Sequence, residues 1–266
     1  MNYILLDLSY LIFYRYCALC TWWKMAKPDE DLGIPIENEE FVEKFKKTFI
    51  AKIKEIPKKL NINPKDVCFI GGQDCYRGNI WRHKFCEYYK ANRVRDESFM
   101  GGPFFTMVYD NNFIKETGCK FILYHDYLEA DDCIAITSFY LSKKYPESMQ
   151  WIITNDHDYL QLSRENVFLF NLKYNDLTKN KNCTGDPKKD LFCKIVLGDK
   201  SDNILGIFKK CGPKIAQRCY DEPEFLEKMY LQQPEAREKF DKNKKIIDFR
   251  EIPEDLIVEF MANIDF

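Results

Sequence analysis

The chain has 266 residues, of which 45% are hydrophobic, so it can bury a full core as one domain or as a domain with a helical extension. Its 40 lysines and arginines face 42 acidic residues, a formal charge of −2, which excludes binding of nucleic acid through an overall positive charge. It shows no signal peptide or long apolar span, and its eleven scattered cysteines suit a reducing compartment, so we expect a soluble, intracellular protein without a membrane partner.

Four short apolar runs are each followed by acidic residues. The runs cover residues 3–6, 67–70, 121–124 and 151–154. Continuous apolar runs of this length, bounded by polar residues, are typical of buried strands in a parallel sheet. Ligands of open α/β sheets bind at the carboxyl ends of the strands, so we expect the acids that follow to share one edge. These acids are Asp7, Asp74, Glu129, Asp131, Asp132, Asp156 and Asp158.

The remaining pattern is mainly helical. Apolar and charged residues recur at helical spacing in residues 8–24, 39–60, 80–94, 104–117, 129–144 and 188–197. Residues 27–37 and the glycine-containing stretch 96–103 indicate loops. Beyond residue 216 the chain is highly charged and helical, with prolines near the predicted helix starts. We therefore predict an α/β parallel-sheet core over residues 1–185 and a mainly helical region over residues 186–266.

Residues 198–216 combine two carboxylates with a glycine-bracketed turn. Asp199 and Asp202 precede the turn, and Gly212-Pro-Lys214 begins a new helix. Backbone N–H groups at such a helix start can hold an anion, which the helix dipole also favours. An ordinary helix–turn–helix connection with solvated lysines is the alternative interpretation. Positive charge around the turn comes from Lys209, Lys210 and Lys214.

The acids after the strands and the pair before the turn give nine carboxylates. Nine carboxylates cannot all stay ionised side by side unless cations lie among them. Hard divalent ions, which take oxygen ligands, are the natural candidates. Without these nine, 33 acidic residues face 40 lysines and arginines, so basic residues remain to contact phosphates.

These motifs, in this order, resemble the flap endonuclease and 5′→3′ exonuclease family, and bacteriophage RNase H-type 5′ nucleases most of all. One turn departs from the family pattern, because four residues rather than three separate Gly206-Ile207 from Gly212. Asn155 also stands where the family usually has glycine. The matching motifs are Asp7, Asp74, Glu129-Ala-Asp131-Asp132, Asp156-His-Asp158, Gly198-Asp199-x-x-Asp202-Asn203, and an aromatic-basic stretch from Trp81-Arg82 to Tyr89-Lys90-Ala91-Asn92-Arg93.

The resemblance implies a PIN-like nuclease core and, at about residues 195–220, a helix–three-turn–helix DNA-binding motif. It implies two Mg²⁺ ions, replaceable by Mn²⁺, and K⁺ at the DNA-binding turn. One ion would be held by Asp7, Asp74, Glu129 and Asp131. The second would be held by Asp156, Asp158, Asp199 and Asp202, with Asp131 as a bridge and Asp132 binding directly or through water. The DNA contacts would be Gly206, Lys209, Lys210, Gly212 and Lys214.

The aromatic-basic stretch supplies the predicted catalytic cations Lys90, Arg93 and Arg82. Lys90 and Arg93 lie three apart in a predicted helix and would offset charge developing on the scissile phosphate. A solvated basic helix face is the alternative. The aromatic residues of the stretch either stack on bases of a frayed end or pack inside the protein. These aromatic residues are Trp81, Tyr88 and Tyr89.

The function implied is a structure-specific 5′ nuclease of DNA replication or repair that hydrolyses phosphodiesters with two metal ions. Its partners would be DNA with a 5′ end, flap or nick, and RNA–DNA hybrids where RNA primers are removed. We expect a monomer in the cytoplasm, a nucleus or a viral replication site, and the sequence shows no sliding-clamp motif.

Three other interpretations are open. A PIN-type ribonuclease would not need the turn at residues 206–214, and a toprim-type enzyme would leave Asp7 unexplained. A non-catalytic, structure-specific DNA-binding protein would have no use for so many unpaired carboxylates.

Overall fold

The computed structural model describes residues 1–94 and 96–264. One sheet of five parallel strands has the order β3-β2-β1-β4-β5. The parallel α/β class and the four predicted strands are confirmed, and a fifth strand was not predicted. The strands are β1 (Asn2–Asp7), β2 (Val67–Gly72), β3 (Cys119–Leu123), β4 (Gln150–Ile153) and β5 (Val167–Phe170).

Helices cover both faces of the sheet and form the C-terminal part. Four of the predicted helices are confirmed within two residues at each end. Among the described residues, no helix is both long and apolar enough to cross a membrane. The helices are α1 (Leu8–Ala26), α2 (Glu39–Lys59), α3 (Gly102–Tyr109), α4 (Asn111–Glu116), α5 (Ala130–Lys144), α6 (Pro187–Leu197), α7 (Pro213–Asp221), α8 (Pro223–Gln232), α9 (Ala236–Ile247) and α10 (Glu254–Ala262).

The predicted helix over residues 80–94 is wrong. The segment contains short 3-10 turns at Arg77–Asn79 and Trp81–Lys84 and then irregular turns. Lys90 has a φ of 57°, in the left-handed region, which is incompatible with a continuous right-handed helix. The predicted helix over 104–117 is also interrupted, because Asp110 ends α3 in an extended conformation before α4 begins.

Two apolar clusters fill the space on either side of the sheet. Leu6 of β1 packs in one cluster with residues of α1, α2 and α3. Leu5, on the opposite face of the same strand, packs with α5 and with Phe249, Leu256 and Phe260 from the chain's C-terminal part. Burial on both faces is what a parallel sheet requires. The two predicted regions therefore share a cluster, and the division at residue 185 stays a prediction.

Candidate metal centre

The predicted acids gather at the carboxyl edge of the sheet. Six of them line one cleft of about 490 Å³, together with Lys90, Arg93 and Lys194. Asp158, Asp202 and the more deeply buried Asp132 lie around it. The six acids that line the cleft are Asp7, Asp74, Glu129, Asp131, Asp156 and Asp199.

Hydrogen bonds from neighbouring elements fix the carboxylates of Asp7 and Asp74. Asp7 caps α1, accepting from the backbone N–H of Tyr10 at 3.1 Å, and its second oxygen accepts from the Thr154 hydroxyl at 2.9 Å. Asp74 accepts from the backbone N–H of Ala130 at 2.9 Å and from a serine hydroxyl, that of Ser9, at 2.5 Å. These bonds join the ends of β1, β2 and β4 to the start of α5.

Asp132 and Arg82 form a buried ion pair beneath the cleft. The guanidinium donates to both oxygens of Asp132, at 2.6 and 2.7 Å, and to Glu129 at 2.9 Å. Its Nε donates to the backbone carbonyl of Ile246 at 2.8 Å, and Trp81 also donates to Asp132, at 2.9 Å. Arg82 is 2% exposed and Asp132 is fully buried. Their bonds are therefore made inside the protein.

This burial bears on the predicted roles of both residues. Arg82 does not line the cleft, so its predicted contact with the substrate does not fit its position. Asp132 also accepts from Arg82 and from the backbone N–H of Glu129, at 3.1 Å, so a direct bond to an ion would compete with these bonds, and its binding of an ion through water stays a prediction. Both residues instead hold the start of α5 in place. Both residues belong to the family's sequence motifs. Their burial, however, depends on the tertiary fold, which the local spacing of residues does not reveal.

The segment 88–93 is fastened to the segment 199–203, more than 100 residues away in sequence. This pairing places the Lys90 ammonium 2.5 Å from a Glu129 oxygen and the Arg93 guanidinium 2.5 Å from an Asp202 oxygen. Lys90 and Arg93 therefore reach the cleft through turns rather than from one helix face. The bonds run from the Lys90 N–H to the Asp202 carbonyl (2.8 Å), from the Asn92 side chain to the Lys200 carbonyl (2.7 Å) and from the Asn203 side chain to the Tyr88 carbonyl (2.9 Å).

The three aromatic residues of this stretch take different positions. Trp81 and Tyr89 are 1% and 3% exposed, so base stacking is wrong for them and packing is correct. The Tyr89 hydroxyl lies within hydrogen-bond distance of two carboxylates, those of Glu129 at 3.0 Å and Asp202 at 3.2 Å, and shares its single hydrogen between them. Tyr88 is 65% exposed and remains a candidate for stacking.

A second group of acids contains a lysine that sequence reasoning missed. Carboxylate oxygens of Asp158, Asp199 and Asp202 lie within 4.8 Å of one another. The Lys194 ammonium contacts Asp158 and lies 2.8 Å from an Asp199 oxygen. The available signal was a single lysine inside the apolar run 191–197, directly before the Gly198-Asp199 motif.

The protein's own cations neutralise only part of the cluster. Burial would raise the pKa of Glu129, but Lys90 and Arg82 outweigh it and lower that pKa. Burial is outweighed in the same way at Asp199, whose pKa Lys194 lowers. In contrast, burial and the charge of Asp74 raise the pKa of Asp7 to about 7. Burial and the charge of a neighbouring carboxylate also raise the pKa of Asp131 well above its usual range.

This set of donors fits a hard divalent cation. Burial and the charges of neighbouring carboxylates raise the pKa values of Asp7 and Asp131, so a bound cation would stabilise their ionised forms. Glu129, Asp131 and Asp132 place oxygens within 4.8 Å of one another. Oxygen ligands at this density are what Mg²⁺, Mn²⁺ and Ca²⁺ prefer.

The turn between α6 and α7 keeps its lysines on the surface. Lys209, Lys210 and Lys214 are exposed. A Cβ at Gly212 would meet nothing within 4 Å, whereas one at Gly206 would lie 2.9 Å from the Leu197 carbonyl oxygen. Close packing against the Leu197 carbonyl therefore requires glycine at position 206, whether or not this residue contacts DNA. The N–H groups of Ile207 and Lys209 donate to the Val196 carbonyl (3.0 Å) and the Gln233 side chain (2.8 Å), so they are not available to an anion.

The family described as "5'-3' exonuclease, N-terminal resolvase-like domain" matches residues 2–188. The chain belongs to that family. A 5′-3′ exonuclease of Mycoplasmopsis pulmonis is 29% identical over 180 residues, which cover 64% of this chain and 55% of the relative. The chain thus spans about half the length of that relative.

Solved structures from bacteriophage T5 share the fold over nearly the whole chain. A T5 protein co-crystallized with metal ions has a TM-score of 0.68 and 18% identity, covering 99% of this chain and 98% of that one. A T5 flap endonuclease in a pseudo-enzyme-product complex with DNA and metal ions has a TM-score of 0.67 and 17% identity, covering 99% and 97%. The family resemblance and the α/β fold are thereby confirmed.

The raised pKa of Asp7 predicts a pH-dependent effect of Asp7→Asn in metal-free protein. Because the folded-state pKa lies above the ordinary value, this residue costs stability as the pH rises from about 4 to about 7. Asparagine mimics the protonated form. The variant should be more stable than wild type at both pH values, and its advantage in free energy of unfolding should grow by roughly 1–3 kcal/mol between pH 5 and pH 8. Urea unfolding in EDTA measures both values. If the variant and wild type differ in free energy of unfolding by the same amount at both pH values, the raised pKa of Asp7 is contradicted.

Proposed function

We propose that the protein is a structure-specific 5′ nuclease that hydrolyses DNA phosphodiesters with two divalent ions, Mg²⁺ or in its place Mn²⁺. The observation that carries this proposal is a cleft lined by six carboxylates and only three lysine or arginine side chains, in which no ion pair among the described residues involves Asp7, Asp74 or Asp131. Membership of the 5′-3′ exonuclease family supports it. A role in replication or repair, an intracellular location and a monomeric state belong to the same proposal.

We assign Asp7, Asp74, Glu129 and Asp131 to one ion and Asp156, Asp158, Asp199 and Asp202 to the other. The oxygens of Asp158, Asp199 and Asp202 lie within 4.8 Å of one another, which supports the second set. Two ions held by these residues would supply an activated water and charge stabilisation at the leaving oxygen. The buried ion pair of Asp132 with Arg82 positions the start of α5, which carries Asp131.

Lys90 and Arg93 are the cations that can meet the scissile phosphate. Both line the cleft, and both are now bound to carboxylates of Glu129 and Asp202. A phosphate in the cleft offers them the same bonds as these carboxylates do. Positive charge held ready at that position stabilises the negative charge that develops during hydrolysis.

The turn between α6 and α7 would hold duplex DNA away from the cut. The exposed Lys209, Lys210 and Lys214 supply phosphate contacts, and Gly212 allows a close approach of backbone and phosphate. K⁺ at this turn is part of the proposal. Substrates would be DNA with a 5′ end, flap or nick, and RNA–DNA hybrids. The complex of the T5 relative with DNA supports DNA as the substrate class.

Replacing an acid of the second group should separate cleavage from binding. Asp156→Asn removes one charge from the cleft and should abolish Mg²⁺-dependent cleavage of an end-labelled flap, while DNA affinity stays within a few-fold of wild type. Asp126→Asn is the matched control, because Asp126 follows β3 but bonds to the Tyr124 hydroxyl (2.9 Å) and does not line the cleft.

Unchanged turnover of the Asp156→Asn variant would contradict the metal role. If the Asp156→Asn variant loses DNA binding rather than cleavage alone, the non-catalytic DNA-binding alternative is favoured. Cleavage of single-stranded RNA but not of flap DNA by the wild-type protein would favour the PIN-type ribonuclease.

Lys214→Ala should weaken the hold on duplex without disturbing the cleft. We expect lower affinity for duplex-containing flaps and a decrease of about one unit in the salt-dependence slope, because one phosphate contact is lost. Cleavage of plain single strands should survive. Lys228→Ala on α8, also exposed, is the control. The measurement is affinity and cleavage of both substrates over a salt series, and equal loss on both would refute the duplex grip.

A further inference from the structure

Lys194 is placed among the acids rather than on the surface. It lies in the last turn of α6, and its side chain is 20% exposed. Its ammonium contacts Asp158 and lies 2.8 Å from Asp199, and both carboxylates belong to the group proposed to hold the second ion. Nothing in the proposed reaction so far uses this lysine.

The backbone at Lys194 is held firmly, so only the side chain can move aside. The Lys194 carbonyl accepts from the N–H of Gly198 at 2.8 Å, which closes the last turn of the helix. The flanking residues Cys193 and Ile195 are buried. Asp199 is fixed as well, because it accepts from the backbone N–H and the hydroxyl of Ser201 at 2.7 and 2.6 Å.

An ammonium group and a divalent ion compete for the same oxygens. Mg²⁺ binds carboxylate oxygens at about 2.0–2.1 Å, so it cannot share that position with an ammonium already bonded to them. The two positive charges also repel each other. The first ion meets such competitors only at Glu129, which Lys90 and Arg82 contact, because within residues 1–94 and 96–264 no ion pair involves Asp7, Asp74 or Asp131.

We propose that Lys194 is a built-in counter-ion of the second metal site. Before an ion arrives, it keeps Asp158 and Asp199 together. An arriving ion must displace it, and the second ion is therefore bound more weakly than the first in the free protein. This inference rests on the two-ion function proposed above and assigns to Lys194 the control of ion loading, which no sequence motif indicates.

The test is a Mn²⁺ titration of metal-free protein by isothermal calorimetry at pH 7.5, comparing wild type with Lys194→Met. Wild type should show a tighter and a weaker site. In K194M the weaker site should tighten at least tenfold, while the tighter site changes less than twofold. The melting temperature of metal-free K194M should fall, and its increase on adding Mn²⁺ should exceed that of wild type.

Lys189→Met is the matched control. Lys189 lies on the same helix, is 19% exposed and pairs with Asp221 at 2.6 Å, outside the cleft. K189M should leave both Mn²⁺ affinities unchanged. Lys194→Gln, which keeps a polar side chain, carries the same expectation and replaces K194M if that variant does not fold.

The outcomes separate the inference from the proposed function. A weaker-site affinity in K194M or K194Q that stays within twofold of wild type, or decreases, overturns the role of Lys194. If Asp156→Asn nevertheless removes that site, the two-ion proposal stands and only this inference fails. If wild type binds no Mn²⁺, the two-ion proposal itself fails.

Discussion

Repulsion among the carboxylates at one edge of the sheet is the constraint on which the rest of the structure depends. Cations reach this edge from separate parts of the chain: Arg82 from below, Lys90 from the irregular segment after it, and Lys194 from the last turn of α6. The segment carrying Arg82 and Lys90 cannot be a regular helix and still make these contacts. Lys90 accordingly has a left-handed backbone conformation, and its N–H donates to the Asp202 carbonyl.

Much of the fold and of the acid cluster could be predicted from the sequence, because apolar runs define parallel strands and their ends meet at one edge. Residues 80–94 could not, because their partners lie at Asp132, at Ile246 and in residues 199–203, and local periodicity carries no such information. Lys194 was missed for the same reason. β5 was missed because a run of four residues, Val167–Phe170, gives a weak signal on its own.

The overall charge of −2 hides two surfaces of opposite charge, because their contributions cancel in the sum. The cleft is acidic, whereas the turn between α6 and α7 presents exposed lysines. In the proposed function, a cleft without ions repels a DNA phosphate, so ion loading and entry of the scissile phosphate depend on each other. The lysines of the turn can hold duplex independently of that step. Gly198, with a φ of 72°, ends α6 and leads directly into Asp199 of the cleft, at the start of the segment that continues to the turn lysines.

The central claim is that this cleft is built for divalent ions on which its surplus carboxylates depend. Anomalous diffraction from crystals soaked in Mn²⁺ tests it most directly. We predict two anomalous peaks in the cleft, one against Asp7 and Asp131 and one against Asp156 and Asp158, with the Lys194 ammonium withdrawn from the second position. Crystals that keep the carboxylates in the present arrangement, yet show no anomalous peak within coordination distance of them, would contradict the account.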